Sequence, residues 1–143
     1  MIGIVVAAHG QLADALVEAA LMVVPEAERV TAVSITARDD SSAYEARLRA
    51  AIDKVEAGRG VILLTDMFGG TPSNLGMTLH QPGKVEVLTG ANLPMLIRAL
   101  QLVRRDVDLA SAAREVKEYG SRAIAVASEV LGARGPGNKE KNA

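Results

Sequence analysis

Short apolar runs rich in β-branched residues alternate along the chain with longer segments in which apolar positions recur at helical spacing. Four of these runs predict strands, at residues 2–7, 29–35, 60–65 and 84–89. The first and third, IGIVVA and GVILLT, are apolar almost throughout, which is typical of strands covered on both faces of a parallel sheet. We therefore expect a central sheet between two layers of helices.

The amphipathic segments between and after these runs predict five helices. The first carries its apolar residues between Leu12 and Val23, and the second follows a cap at residues 40–42 and ends near Gly58. The remaining three run over about residues 71–80, 92–103 and 108–120.

The order of these elements, β-α-β-α-β-α-β-α-α, predicts an α/β protein with a doubly wound parallel sheet and right-handed crossovers. The segment RAIAVAS at 122–128 alternates like a strand, although it could equally continue the last helix. We interpret it as a fifth strand at the sheet edge. The predicted fold is flavodoxin-like, with a mainly parallel five-stranded sheet of order 2-1-3-4-5 and helices on both faces.

Composition favours one globular domain, which we place at residues 1–131. Hydrophobic residues make up 49% of the 143 residues and charged residues 23%, values that suit a soluble protein. The last twelve residues, GARGPGNKEKNA at 132–143, are rich in Gly, Pro and Lys. This composition predicts a disordered basic tail.

Charge and cysteine content argue against several functional classes. A net charge of -1 gives no reason to expect nucleic acid or an anionic membrane surface as a partner, and the absence of cysteine excludes disulfides and thiol catalysis. The N-terminus lacks the basic segment of a signal peptide, and no apolar stretch approaches the roughly 20 residues of a membrane span. We expect a cytoplasmic protein that does not insert into a membrane.

Ligands of open α/β sheets gather at the carboxyl ends of the strands, where the strand order reverses. Three loops lie at such ends: residues 8–10 after the first strand, 66–74 after the third and 90–94 after the fourth. They contain most of the unusual chemistry of the chain. We expect them to meet at one place.

His9 ends the first predicted strand, and Asp66 follows the third. If these strands are neighbours, the two side chains meet. A carboxylate that accepts the Nδ1–H of the ring leaves a lone pair on Nε2, which makes an oriented neutral nucleophile. The same pair could act as a proton acceptor in acyl transfer or hydrolysis, and His9 could also simply end a strand at the surface.

The run Gly69-Gly70-Thr71-Pro72-Ser73-Asn74 predicts a loop that opens a helix. Glycine lets the backbone approach a ligand closely, Thr71 is suited to the N-cap, and Pro72 then falls at the first helical position. A helix N-terminus aimed at His9 and Asp66 would attract an anion. The alternative is an ordinary capped turn. The lysine and spacing of a P-loop are absent.

A histidine nucleophile with an orienting acid beside an anion-binding helix end suits phosphoryl transfer through phosphohistidine. This reaction needs positioning and charge stabilisation, and we expect neither a metal nor another cofactor. With two histidines and no cysteine, a structural zinc site is not expected. We interpret His80 as a helix-end residue that complements the helix dipole.

These motifs resemble the IIA component of the mannose family of the bacterial phosphoenolpyruvate-dependent sugar phosphotransferase system. The resemblance covers about residues 1–131. It rests on the strand ending in His9-Gly10, on DMFGGTPSN at 66–74 and on GANLPML at 90–96. It implies that His9 is phosphorylated on Nε2 and that Asp66 binds Nδ1.

The same resemblance implies roles for the surrounding loops. The residues expected to bind the phosphoryl group are Gly69, Gly70, Thr71 and Ser73. The residues expected to support the site are Gly10, Phe68, Pro72, Asn74 and Asn92.

The implied partners are the phosphocarrier protein HPr, a separate IIB protein and a second copy of this chain. The homodimer would exchange the fifth strand, antiparallel to its neighbours, and the chain would be a stand-alone IIA. The stretch TARDD at 36–40 departs from the Pro-Gly-acid turn of the family, which leaves the dimer or partner surface there open. Two alternatives remain: a regulator that signals by its phosphorylation state without a dedicated permease, and a ligand-binding or hydrolytic domain.

Overall fold

Residues 1–133 are described by a computed structural model in which four parallel strands form one sheet. The strands are β1 (Gly3–His9), β2 (Val30–Ile35), β3 (Val61–Thr65) and β4 (Val85–Leu88). Their spatial order is β2-β1-β3-β4, and every neighbouring pair is parallel. The predicted order of the first four strands is confirmed.

Six helices occur within these residues. They are α1 (Leu12–Val23), α2 (Ser41–Val55), α3 (Thr71–Thr78), α4 (Leu93–Leu102), α5 (Leu109–Arg122) and α6 (Ala127–Ala133). Asp40 caps α2 through a hydrogen bond that its side chain accepts from the Ser42 N–H. None of the helices within residues 1–133 has the length and apolar character that a membrane span needs.

Two hydrophobic cores lie on opposite faces of the sheet, as a doubly wound fold requires. Ile4, Val6 and Ala8 of β1 belong to the core beneath α1, α4 and α5. Val5 and Ala7 belong to the other core, which α2 covers together with the end of α3. Because successive side chains of a strand alternate between faces, His9 continues the row of Val5 and Ala7, on the α2 side.

The predicted fifth strand at 122–128 is wrong for these residues. Helix α5 continues through Arg122, residues 123–126 have no regular structure, and α6 begins at Ala127. Ile124 and Val126 are 79% and 53% exposed. A strand needs a neighbour to pair its backbone groups, and this segment lies beside none within the part of the chain that is described.

The predicted boundary at residue 131 falls inside α6, which continues to Ala133. The remainder of the predicted tail, residues 134–143, lies outside the described residues.

Candidate active site

The sheet register brings His9 and Asp66 together. Ala7 of β1 pairs with Thr65 of β3, so both strands end at the same edge of the sheet. There the Nδ1 atom of His9 lies 2.7 Å from Oδ2 of Asp66, and the backbone N–H of His9 donates to the same oxygen at 3.0 Å. The predicted contact between the two side chains is confirmed.

The environment of Asp66 keeps it ionised. Burial raises the pKa of this carboxyl, but the hydrogen bonds from the backbone and ring of His9, with the charge of that ring, more than offset this effect and hold the pKa below its ordinary value. An ionised carboxylate only accepts hydrogen bonds, which assigns the ring proton to Nδ1. The His9 side chain is 49% exposed and the Asp66 side chain 11%, so the imidazole is accessible to a partner while the carboxylate is largely shielded.

Gly70 lies directly against the His9 ring. A Cβ atom at this position would stand 2.8 Å from Cε1 of His9 and 3.3 Å from Nε2, closer than carbon atoms normally approach. The backbone of Gly70 is extended, with φ of -84°, a value open to any residue. Glycine is therefore needed here because a larger residue would collide with the ring. Without a side chain at this position, the loop can lie directly against the edge of the ring that carries Nε2.

The N-cap of helix α3 lies one residue earlier than predicted. The Gly70 carbonyl accepts from the Asn74 N–H at 2.8 Å, which makes Gly70 the N-cap, Thr71 the first helical residue and Pro72 the second. Thr71 therefore does not cap the helix. Neither its N–H nor its hydroxyl has a hydrogen-bond partner among residues 1–133, and the residue is exposed.

Ser73 and Asn74 shape the loop before the helix. The buried Ser73 hydroxyl accepts from the Gly69 N–H at 3.2 Å, and the Asn74 side chain donates to the Gly69 carbonyl at 3.3 Å. Gly69 itself has a φ of 88°, where glycine is favoured. Both polar side chains are thus occupied in holding the loop, whereas those of His9 and Thr71 face a cleft.

This cleft has a volume of about 500 Å³. His9, Gly10 and Thr71 line one side, and residues between 35 and 41, after β2, line the other. The side chain of Asp39 fixes that second wall, because it accepts from the Thr36 N–H at 2.7 Å and pairs with Arg47 at 3.1 Å. The hydrogen bond from the Thr36 N–H lowers the pKa of Asp39; burial opposes this effect, and the charge of Arg47 adds to the lowering.

Sequence reasoning did not assign the 35–41 wall to the catalytic site. The signal was present, since the segment follows β2 at the same carboxyl edge that selected the other three loops. From the sequence, TARDD at 36–40 is connected only with a dimer or partner surface.

Other predicted site residues are placed at the periphery. Phe68 is 75% exposed beside Met67, which is 54% exposed. Asn92 caps α4, where its side chain accepts from the Met95 N–H at 2.9 Å and donates to the Gly120 carbonyl at 3.4 Å. Asn92 therefore ties α4 to α5 and does not line the cleft.

His80 follows the end of α3, where its Nε2 lies 3.5 Å from Oε1 of Glu86. It does not line the cleft beside His9. Within residues 1–133, no three His, Asp or Glu side chains lie close enough together to hold a metal ion.

Comparison with known proteins identifies the family of this chain. Residues 3–117 match the model of the EIIA-man family, described as the PTS system fructose IIA component. The chain belongs to this family. It is thus a mannose-family IIA component, a phosphotransferase-type component of the sugar phosphotransferase system, and the resemblance inferred from the motifs is confirmed.

Two relatives illustrate how far the similarity of this IIA component extends. The fructose-specific EIIA component of Bacillus subtilis (strain 168) is 26% identical over 132 residues, which cover 92% of this chain and 90% of that protein. The mannose-specific EIIAB component of Escherichia coli (strain K12) is 30% identical over 129 residues. These cover 86% of this chain but 39% of the EIIAB component.

Solved structures share the fold. Phosphotransferase system component EIIA from Streptococcus agalactiae superposes with a TM-score of 0.81 at 25% identity, over 90% of this chain and 99% of that one. The mannose/sorbose specific IIA subunit from Enterococcus faecalis gives a TM-score of 0.75 at 28% identity, over 87% and 92%.

Proposed function

We propose that this IIA component accepts a phosphoryl group from phospho-HPr on Nε2 of His9 and passes it to a IIB protein for sugar uptake and phosphorylation. The observation that carries the proposal is the 2.7 Å contact between Nδ1 of His9 and Oδ2 of Asp66. This contact holds the ring proton on Nδ1 and leaves Nε2 unprotonated at the cleft. Nε2 lies on the side of the ring where Gly70 has no side chain.

In the first step, the Nε2 lone pair attacks the phosphorus atom of the donor phosphohistidine. The donor P–N bond breaks, and its electron pair returns to the donor ring. The proton on Nδ1 of His9 stays in place, and the charge of Asp66 stabilises the positive charge that develops on the ring. In the second step, a nucleophile of the IIB protein attacks the phosphorus atom held by His9. The P–N bond to Nε2 breaks, and its electron pair returns to the His9 ring.

The N-terminus of α3 suits the phosphoryl oxygens in both steps. The Thr71 N–H and hydroxyl are available, the helix dipole favours an anion, and Gly69 and Gly70 let the backbone come close. Positioning and charge stabilisation account for most catalysis in phosphoryl transfer. These groups therefore suffice for a covalent phosphohistidine intermediate without a metal ion.

The remaining parts of the proposal concern partners. Exposed Met67 and Phe68 beside the site suit contact with HPr and the IIB protein, and the EIIAB name of the E. coli relative pairs an A with a B component. We place the protein in the cytoplasm, with HPr. We also propose a homodimer, supported by the exposed apolar side chains of Ile124 and Val126. Residues 122–128 form no strand in the single chain, so their exchange as a strand would occur only in that dimer and stays a prediction.

Incubation with phosphoenolpyruvate, the general first enzyme and HPr tests the proposal. The wild-type protein should acquire one acid-labile, base-stable phosphoryl group, and His9→Ala should acquire none while keeping its fold. His80→Ala, which changes the other histidine of the chain, is the matched control and should be phosphorylated like wild type. Phosphate on His80 would refute the assignment.

Subsequent addition of a IIB protein separates transport from regulation. Loss of phosphate from His9 to the IIB protein supports the transport role. If His9 is phosphorylated but no IIB protein from the same organism accepts the group, the regulatory alternative is favoured.

A further inference from the structure

Tyr44 is a fully buried tyrosine beneath the catalytic corner. It lies in the first part of α2, shows no exposed surface, and packs in the same core as Ala7 and Ile35. Ala7 precedes His9 by two residues on the same face of β1, and Ile35 is the β2 residue paired with His9. Tyr44 therefore belongs to the core on the face of the sheet where β1 ends in His9.

The Tyr44 hydroxyl is an unusual group. It is shielded from solvent and has no hydrogen-bond partner among the residues that the structure describes. Buried polar groups in native proteins are nearly always paired, because an unpaired one disfavours the folded state. A buried donor without an acceptor, held at the base of a catalytic site, needs an explanation.

Asp66 offers the matching acceptor. Its Oδ2 atom accepts from the backbone and the ring of His9, whereas among residues 1–133 its Oδ1 atom accepts only from the Met67 N–H, at 3.0 Å. A carboxylate has about four acceptor sites, so one site on Oδ1 remains. Burial raises the pKa of Tyr44 to about 12; Arg47 opposes this rise, and the charges of Asp66 and Asp39 add to it. The phenol is therefore a protonated donor within the electric field of Asp66.

We propose that Tyr44 is a positioning residue whose hydroxyl donates to the remaining acceptor site on Asp66 when His9 carries the phosphoryl group. The inference rests on the function proposed above. A phosphoryl dianion on Nε2 places additional negative charge near the Asp66 carboxylate. A further donor to the carboxylate offsets this charge.

The substitution Tyr44→Phe removes the hydroxyl and keeps the ring. We expect the equilibrium ratio of phosphorylated to free protein, at a fixed donor ratio, to fall by about tenfold, the effect typical of losing a hydrogen bond to a charged group. The urea midpoint of the unphosphorylated protein should stay unchanged or rise, since phenylalanine leaves no unpaired polar group. A merely structural hydroxyl would not give this combination.

Tyr119→Phe is the matched control. Tyr119 is the other tyrosine of the chain, is 44% exposed and lies on α5, where its ring contacts the Arg98 guanidinium at 5.5 Å. Neither the phosphorylation ratio nor the urea midpoint should change appreciably. In wild-type protein labelled with ¹³C at the tyrosine Cζ atoms, phosphorylation should shift the Tyr44 resonance and leave that of Tyr119 in place.

The possible outcomes separate the two proposals. Absence of phosphate on wild-type His9 rejects the proposed function and this inference together. If wild-type protein is phosphorylated and Tyr44→Phe reaches the same ratio, only the inference is overturned. A parallel loss of phosphorylation and of stability in the unphosphorylated variant also overturns it, because the hydroxyl would then already support the free fold. An unshifted Tyr44 resonance has the same consequence.

Discussion

A single oxygen atom, Oδ2 of Asp66, accepts two hydrogen bonds from His9, one from the backbone and one from the ring. The backbone bond anchors the acid to the end of β1, and the ring bond then fixes the imidazole relative to that same strand. The orientation of Nε2 is thus set by two contacts to one atom. This orientation depends little on the exposed residues of the loop after β3.

Asp66→Asn tests this arrangement. The amide carries no charge and can present its NH₂ group to Nδ1, so the ring loses both its orientation and its stabilisation. A hydrogen bond to a charged group contributes about 1.5–3 kcal/mol, and about 1.4 kcal/mol corresponds to a factor of ten. We expect the rate of phosphoryl transfer from phospho-HPr to fall by about ten- to a hundredfold. An unchanged rate would mean that Asp66 is only a turn residue.

The same variant predicts a pH dependence. Because the folded-state pKa of Asp66 lies below its ordinary value of 3.8, its contribution to stability is complete above the unfolded-state pKa and is lost as the pH falls through the folded-state pKa. Urea unfolding should show wild type more stable than Asp66→Asn near pH 7. The difference should shrink below about pH 4. A constant difference over this range would contradict the assignment.

Gly70→Ala tests the need for space beside the ring. The backbone at Gly70 accepts alanine, but the new Cβ would stand 2.8 Å from Cε1 of His9, so the imidazole must move. Misplacement of reacting groups by about 1 Å can slow a reaction by about a hundredfold. We expect a loss of that order in the phosphoryl-transfer rate. Gly132→Ala, whose Cβ would meet no atom of residues 1–133 within 4 Å, should transfer at the wild-type rate, and equal rates for both variants would refute the argument.

At the scale of elements, the two residues at the start of α3 have different roles. Gly70 caps the helix with its carbonyl, and Thr71 faces the cleft with an unused hydroxyl. Thr71→Ala should therefore change the stability of the free protein by less than about 0.5 kcal/mol, as for other exposed positions. It should nevertheless lower the equilibrium ratio of phosphorylated to free protein by about tenfold, because a charge-assisted hydrogen bond is lost.

Thr71→Ser is the control, since it keeps the hydroxyl and should alter neither quantity appreciably. The measurements are the phosphorylation ratio at a fixed donor ratio and urea unfolding of the unphosphorylated variants. If Thr71→Ala leaves the ratio unchanged, the loop is an ordinary turn and not a phosphoryl-binding site.

The two errors of sequence reasoning on elements share a physical origin. Residue preference assigns the N-cap to Thr71. In the structure Gly70 is the N-cap, because the loop approaches the His9 ring so closely that only a residue without a Cβ fits at that position. RAIAVAS was assigned to a strand by alternation, but a strand exists only where another backbone pairs with it. Both errors concern tertiary contacts that local patterns do not contain.

At the scale of the whole molecule, the sheet and the meeting of His9 with Asp66 were predictable, because apolar runs and parallel crossovers determine which loops converge. The cleft wall at residues 35–41 was not predicted, since it depends on how Asp39 and Arg47 fold the loop after β2 over His9. The burial of the Tyr44 hydroxyl was equally invisible in the sequence.

The last prediction concerns assembly. Ile124 and Val126 expose large apolar side chains after α5, and Leu131 is 68% exposed nearby in sequence. Burial of apolar surface contributes about 25 cal/mol per Å², so a dimer in which a second copy of the chain covers this segment would be stabilised. Aspartate at these positions would oppose that contact. Ile124→Asp with Val126→Asp should shift a homodimer to monomer in sedimentation equilibrium. Met22→Asp, at an 82% exposed position on α1, should leave the dimer intact. A monomeric wild type, or a double variant that dimerises as tightly as wild type, would refute assembly through this segment.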